Sequence, residues 1–333
     1  MVLLAEILKQ IMYVIKMLDF TVAIPTYNGA NRLPLVLEKL RSQINTENIS
    51  WEVIVVDNNS RDNITEVVEN FQAKWSENIP LRYCFEAEQG LAFARQRAIE
   101  EAKGYFVGFL DDDNLAEPDW VAAAVKFGQE HQKAGAFGGR IIGDFEVEPP
   151  ENFNKIKRYL AIIPNRGSKP HLFEPGILRL PPGAGLVVRK EAWSQWVPAR
   201  LALIGRVGKV MVAGEDFEAL LYLYRGGWEI WYNSAMCIHH KIPKQRLERE
   251  YLLPLAKGIG LTTYYLRMLN AKSWQKPKIL ARIILGSLWG IIHLFIKHRS
   301  KVKNDLISAF ELEFFLGRLQ SPFYSFYKLR KNK

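Results

Sequence analysis

Cysteine is nearly absent from the 333 residues: Cys84 and Cys237 alone cannot make a disulfide framework. No Cys-x-x-Cys occurs, nor any Cys/His set at zinc-site spacing. Both cysteines stand in apolar, strand-like stretches and read as buried thiols of a protein in a reducing compartment. Glycine-rich turns are also missing. Gly29 stands alone after the first strand-like run, where a dinucleotide cofactor would need several glycines to bring backbone to its pyrophosphate. An oxidoreductase of that type is disfavoured. There are no repeats and no low-complexity tract. The N-terminal stretch lacks the unbroken apolar core of a secretory signal, being interrupted by Glu6, Lys9 and Lys16.

Acidic charge is scarce in the last part of the chain. Residues 241–333 carry 19 Lys and Arg against 5 Asp and Glu, a net +14, whereas residues 1–240 are mildly acidic at −4. This basic tail is interleaved with apolar and aromatic runs, which suits an anionic membrane face better than nucleic acid. With 48% hydrophobic and 24% charged residues, the composition is globular and excludes a disordered chain. The length suggests about two domains.

Residues 2–18 place Leu4, Ile7, Leu8, Ile11, Val14, Ile15 and Leu18 at helical spacing. That predicts an amphipathic helix over residues 1–18, packed on the body or lying on a membrane. The period then changes. Short apolar, β-branched runs at 20–24, 51–56, 81–85 and 105–110 alternate with helical patterns at 31–43, 61–75 and 91–103. Such alternation predicts an α/β fold with a Rossmann-like, mostly parallel sheet and helices on both faces. Residues 143–182, rich in proline and charge, predict a long surface loop. Further strands are expected at 183–188, 228–232 and 235–238, with a helix between Gly214 and the Gly226-Gly227 pair.

Ligands of such sheets sit at the carboxyl ends of strands. Three of those ends carry polar sets: Thr26-Tyr27-Asn28, Asp57-Asn58-Asn59 and Asp111-Asp112-Asp113. Asp57 can accept hydrogen bonds from a nucleoside, or it can simply cap the next helix. Three successive carboxylates repel one another. A hard divalent cation, Mg²⁺ or Mn²⁺, removes that repulsion and keeps coordination positions open for a diphosphate; the plainer alternative is a solvated turn. Glu215-Asp216 opens the later helix, either as a favourable charge at its N-terminus or as a general base facing the metal site. His239-His240 either reaches the metal or a phosphate, or is an ordinary polar strand end.

Taken together, Ile24-Pro25-Thr26-Tyr27-Asn28, Glu52-Val53-Ile54-Val55-Val56-Asp57-Asn58-Asn59-Ser60, Phe109-Leu110-Asp111-Asp112-Asp113 and Gly214-Glu215-Asp216 resemble a family 2 inverting glycosyltransferase. The likeness spans residues 20–240, with the motifs in order and at the family's spacing. Around residues 183–193 and 245–251 the chain is most similar to the cyanobacterial hormogonium polysaccharide glycosyltransferases. The resemblance implies a GT-A fold, a nucleotide-sugar donor, a saccharide or lipid-linked saccharide acceptor, and Mn²⁺ or Mg²⁺. Residues 19–115 would form the nucleotide-sugar-binding half and 116–240 the acceptor-binding half. Pro25, Thr26 and Tyr27 would line the base and ribose site. Asp57 would bind the nucleoside, typically uridine. Arg95 would approach the donor phosphates or sugar. Asp111 and Asp113 would be the ends of the D-x-D motif and hold the metal, with Asp112 between them at the donor. Asp216 would be the catalytic base, with Glu215 beside it. Asn58-Asn59 stands where many relatives have Asp-Gly, and Gln96 where they often have Asn. No Gln-x-x-Arg-Trp occurs, which favours single-sugar transfer over processive synthesis.

The basic tail, residues 241–333, contains an 18-residue apolar stretch at 279–296 that includes Arg282 and His293. Basic residues flank it on both sides. Its length barely suffices to span a bilayer, so an interfacial or re-entrant helix is as consistent with it as a span. Membrane lipid at the cytoplasmic face is the expected partner, and no nucleic acid is expected.

Overall fold

The computed structural model describes residues 17–164, 166–206, 208 and 211–327. The amphipathic helix expected over residues 1–18 therefore lies outside the described residues, apart from Met17 and Leu18, and Leu18 already begins a strand.

The sheet grows outward from the apolar runs. β1 (Leu18–Thr26) lies between β2 (Trp51–Asp57) and β4 (Gly104–Phe109), and β3 (Leu81–Phe85) pairs the far side of β2. All four are parallel. Every residue of β2 is buried, as a strand covered on both faces requires. Side chains alternate between two cores: Phe20, Val22, Ile24, Val53 and Val55 point to one face, Ala23, Ile54 and Val56 to the other. The first face is covered by α1 (Leu33–Arg41), α2 (Ile64–Gln72) and α4 (Trp120–Glu130). The second is covered by α3 (Leu91–Glu101), α5 (Lys190–Trp196) and α6 (Glu215–Arg225). Glu52, fully buried in β2, accepts from Thr21 Oγ1 at 3.0 Å, the Lys103 N–H at 2.8 Å and Arg82 Nε at 2.9 Å, so its charge is compensated.

Beyond β4 the sheet becomes mixed. β8 (Val187–Arg189) is antiparallel to β4 and to β6 (Ala134–Phe145). β9 (Glu229–Ile242) runs parallel to β6, while β5 (Asn114–Ala116) and β7 (His171–Leu172) pair antiparallel to β9. The full order is β3-β2-β1-β4-β8-β6-β9-β5. Two expectations change here. The strands anticipated at 228–232 and 235–238 form one strand, Glu229–Ile242, whose pairing with β6 shifts register between Tyr232 and Cys237, where Asn233 accepts the Ala235 N–H at 3.1 Å. The loop anticipated over 143–182 is not all surface: Phe153, Ile156 and Leu160, in short 3₁₀ turns, bury against Leu252, Leu255 and Phe310 of the tail.

The tail forms α7 (Arg249–Leu269), α8 (Lys276–His298) and α9 (Leu306–Tyr327). α7 and α9 cross closely at two glycines. A Cβ on Gly260 would lie 2.4 Å from the Phe314 carbonyl oxygen, and one on Gly317 2.4 Å from that of Lys257. α7 also braces the body, since Tyr265 donates to Glu218 of α6 at 2.6 Å. α8 lies within Ser273–His298, a helical stretch long and apolar enough to cross a membrane by length and composition. It packs through Ile283, Ser287 and Leu294 and exposes Leu285, Leu288, Trp289, Ile292, Phe295 and Ile296, with Trp289 67% and Ile296 70% accessible.

Candidate functional site

Strand register brings the polar strand ends together. Thr26 stands beside Asp57 across β1 and β2, and the carboxyl end of β4 is next to β1 on the other side. The geometry then splits the site into three groups, each organised around one aspartate of the 111–113 triplet.

Asp112 turns back into the body. Its carboxylate accepts from Thr26 Oγ1 at 2.7 Å and from Arg32 Nε and Nη2 at 2.8 and 2.9 Å. This bidentate ion pair fixes the end of β1 to the start of α1, and it uses the side chain expected at the donor as a structural clamp.

Asp111, partly exposed, faces Arg95 at 3.6 Å. Arg95, only 4% exposed, also donates to Glu215 at 3.2 Å and lies over the Phe109 ring, so it ties the end of β4 to the first turn of α6. Its Nε has no partner among the described residues. Gly183 makes room for it, since a Cβ there would lie 2.1 Å from Arg95 Nη2. Burial raises the Asp111 carboxyl above its ordinary range; Asp113 and Asp112 add repulsion while Arg95 opposes it. Glu215 is raised in the same way by burial and by Asp216, with Arg95 opposing. Asp216 is less buried. Its Oδ2 accepts the Gly183 N–H at 2.7 Å and its Oδ1 the Phe217 N–H at 2.8 Å.

Asp113 is buried beside His240 and Arg246. Arg246 Nη2 lies 2.8 Å from Asp113 Oδ2, and His240 Nε2 lies 3.6 Å from Oδ1. Burial opposes the Asp113 charge, but the guanidinium charges of Arg246 and Arg32 favour the ionised carboxylate and help hold it below its ordinary range. His240 Nδ1 meets the Leu160 carbonyl oxygen at 3.0 Å. A carbonyl only accepts, so the proton sits on Nδ1 and Nε2 presents a lone pair to the site.

The nucleoside side is built by the loop after β2. Asp57 accepts from the Ser60 N–H at 2.9 Å and from the Tyr83 hydroxyl at 2.7 Å. Burial, with Asp57 adding to it, raises the Tyr83 hydroxyl, so Tyr83 remains a donor. Asn58 crosses to the next loop, donating to the Glu88 carbonyl at 2.7 Å and accepting the Gly90 N–H at 2.8 Å. Tyr27 is exposed and Pro25 is buried within β1.

The repulsion argument for a metal at the acid triplet changes accordingly. Each carboxylate has its own guanidinium: Asp111 has Arg95, Asp112 has Arg32 and Asp113 has Arg246. Of these three arginines only Arg95 stands within a motif. Arg32 and Arg246 are invisible to spacing, being 80 and more than 130 positions from the triplet. His239, next to His240, points elsewhere and meets Glu117 at 2.6 Å. Glu117, Cys237 and His239 bring potential ligand atoms within 4.8 Å of one another, but Arg140 Nε already lies 3.3 Å from the Cys237 sulfur. Cys84 and Cys237 are both free and buried.

Residues 21–181 match the family described as "Glycosyl transferase family 2". Over 202 residues, 60% of this chain, the sequence is 26% identical to the glucosyl-dolichyl phosphate glucuronosyltransferase of Haloferax volcanii. The chain spans 62%, 35% and 51% of the length of the first three curated relatives it matches. Its fold is that of a mannosyltransferase from Pyrobaculum calidifontis solved with GDP-Man and Mn²⁺, at a TM-score of 0.61 and 17% identity, covering 93% of this chain and 87% of that one. The S. aureus TarS 1–349 fragment solved with UDP-GlcNAc matches at 0.51 and 14% identity, over 91% of each chain. The architecture is thus the GT-A fold, and the match to glycosyltransferase family 2 covers residues 21–181, just under half of the chain.

Proposed function

We propose that this chain, carrying a family 2 domain on a GT-A fold, moves a sugar from a nucleotide-sugar to a saccharide or lipid-linked saccharide acceptor, with inversion and with Mn²⁺ or Mg²⁺. The observation that carries the reading is the convergence, at one end of the parallel strands, of Asp57, Asp111, Asp113 and the first turn of α6 bearing Glu215 and Asp216. The closer kinship to hormogonium polysaccharide enzymes is part of this proposal and rests on residues 183–193 and 245–251. A panel of nucleotide-sugars incubated with the full chain should yield free nucleoside diphosphate, and only with a divalent cation present. Release of pyrophosphate would instead indicate a nucleotidyltransferase.

The residues present fit a hard cation. Asp113 and Nε2 of His240, 3.6 Å apart, supply an O, N pair of the kind Mn²⁺ accepts and leave the remaining coordination positions to a diphosphate. When bound, the cation neutralises charge developing on the leaving diphosphate. Arg95 contributes a fixed positive charge beside Asp111. Asp216, oriented by two backbone N–H groups, accepts the proton of the attacking hydroxyl. Glu215, held by Arg95 and the Gly214 N–H, positions Arg95. A single displacement needs no protein nucleophile.

Asp57 selects the base in this scheme. Each of its oxygens keeps a lone pair beyond the bonds from Ser60 and Tyr83, so it can accept the uracil imide N–H, which cytosine lacks. Uridine diphosphate should therefore displace bound donor better than the other nucleoside diphosphates. Stronger competition by guanosine diphosphate would remove this assignment.

The exposed face of α8 is the proposed membrane contact, at the cytoplasmic side. A basic residue near an anionic surface contributes on the order of 1 kcal/mol, and apolar side chains add burial energy. Full-length protein should co-sediment with anionic vesicles, and Trp289→Glu with Ile292→Glu should reduce binding at least about tenfold without lowering Tm, because both positions are exposed. Unchanged sedimentation of the double variant would refute the contact. Deleting α8 and α9 is the wrong test, since it would strip the face of α7 that α9 covers.

A further inference from the structure

Arg246 occupies the donor set just assigned to the cation. It lies in the 3₁₀ turn Lys244–Leu247, between β9 and α7, with its side chain only a quarter exposed. Nη2 binds Asp113 Oδ2 at 2.8 Å and Nη1 donates to His240 Nε2 at 2.9 Å. A guanidinium keeps its charge in proteins, and here it lies against the Asp113 carboxylate. The His240 lone pair can be given to an N–H or to a metal, not to both. The Asp113 Oδ2 facing the guanidinium is likewise committed.

We infer that Arg246 is a built-in counter-cation that must leave Asp113 and His240 before a divalent cation binds there, and that it thereby couples metal binding to the nucleotide. The inference rests on the metal-dependent reading of the site. Without nucleotide, the metal has to part Arg246 from Asp113 and then share the pocket with a displaced positive charge. Asp112 cannot absorb that charge, because Arg32 already holds it bidentately. A diphosphate brings the missing negative charge, so metal and nucleotide each favour the other. In this role Arg246 is a positioning residue: it sets the order in which the site fills and need not touch the sugar.

The test is Mn²⁺ binding to the full chain by electron paramagnetic resonance, without nucleotide and with uridine diphosphate, after correction for the Mn²⁺–nucleotide complex in solution. Wild type should bind Mn²⁺ at least about tenfold more tightly with the nucleotide, within the usual range of coupling between sites. Arg246→Gln should tighten nucleotide-free binding by about tenfold and shrink the nucleotide-induced gain, whereas Arg246→Lys, which keeps the charge, should stay near wild type. A merely structural role predicts the opposite sign, weaker binding under both conditions. Unchanged or weaker nucleotide-free binding in Arg246→Gln would overturn the inference. So would equal wild-type affinity with and without nucleotide, a measurement that does not depend on any variant folding. Failure of the wild type to bind Mn²⁺ under either condition would remove the metal reading itself, and the inference with it.

Discussion

Asp113→Asn should abolish or nearly abolish sugar transfer while leaving the chain folded. The amide keeps the shape of the side chain but removes the charge that His240, Arg246 and Arg32 surround. A neutral oxygen opposite a diphosphate cannot replace an ionised ligand, so Mn²⁺ binding should fall along with turnover. A stability cost accompanies the loss. The folded carboxyl is held below its ordinary 3.8 with help from Arg246 and Arg32, so its ionised form adds stability to the fold. Because the folded value is depressed, that contribution is fully present above the unfolded pKa and is lost as pH falls through the folded one. Wild type should therefore lose stability as pH falls below about 4 by a component that Asp113→Asn lacks. The two effects are separable by measuring transfer well below the variant's Tm. Full activity in Asp113→Asn, or in wild type with excess chelator, would refute the assignment of Asp113.

What the sequence made legible follows from distance along the chain. β1, β2 and β4 could be read because each is a short apolar run largely buried on both faces, β3 because it is a short apolar and aromatic run at the sheet edge, and the polar residues at the ends of β1, β2 and β4 are local signals. The first turn of α6 could be read for the same reason. The partners of those residues could not. Nothing local to Asp112 announces Arg32, and nothing near Asp113 announces Arg246 or the orientation of His240, which is set by the Leu160 carbonyl. The three carboxylates looked mutually repulsive only because their guanidiniums come from remote positions. Asn58 was legible as a turn residue, yet its work is to hold the 86–90 loop against β2. The apolar stretch at 279–296 was legible as a helix of nearly membrane-spanning length. Which of its faces is covered depends on Gly290 meeting the Phe315 ring, and that needs the third dimension.

Asp216→Asn should lower transfer by roughly 10²-fold or more while donor and metal still bind, the scale of a positioned general base. The geometry sharpens the expectation. Asp216 receives two backbone N–H groups, one on each oxygen, from Gly183 and Phe217. Asparagine has a single acceptor oxygen, so one of these N–H groups loses its partner, at a cost of about 1 kcal/mol in stability. A modest fall in Tm therefore belongs to the prediction and is not itself the cause of the lost rate. Glu215→Gln is the informative companion. Glu215 is buried against Arg95 at 3.2 Å, so its loss should loosen Arg95 and raise the KM for donor more than it lowers kcat. If the base were Glu215 instead, the two variants would exchange signatures, with kcat collapsing in Glu215→Gln and surviving in Asp216→Asn. Transfer also fixes stereochemistry: one displacement at the anomeric carbon, with Asp216 taking the hydroxyl proton, inverts the centre. Product carrying the donor's own anomeric configuration would contradict both the base and the single displacement, and would require a nucleophile on the opposite face of the sugar.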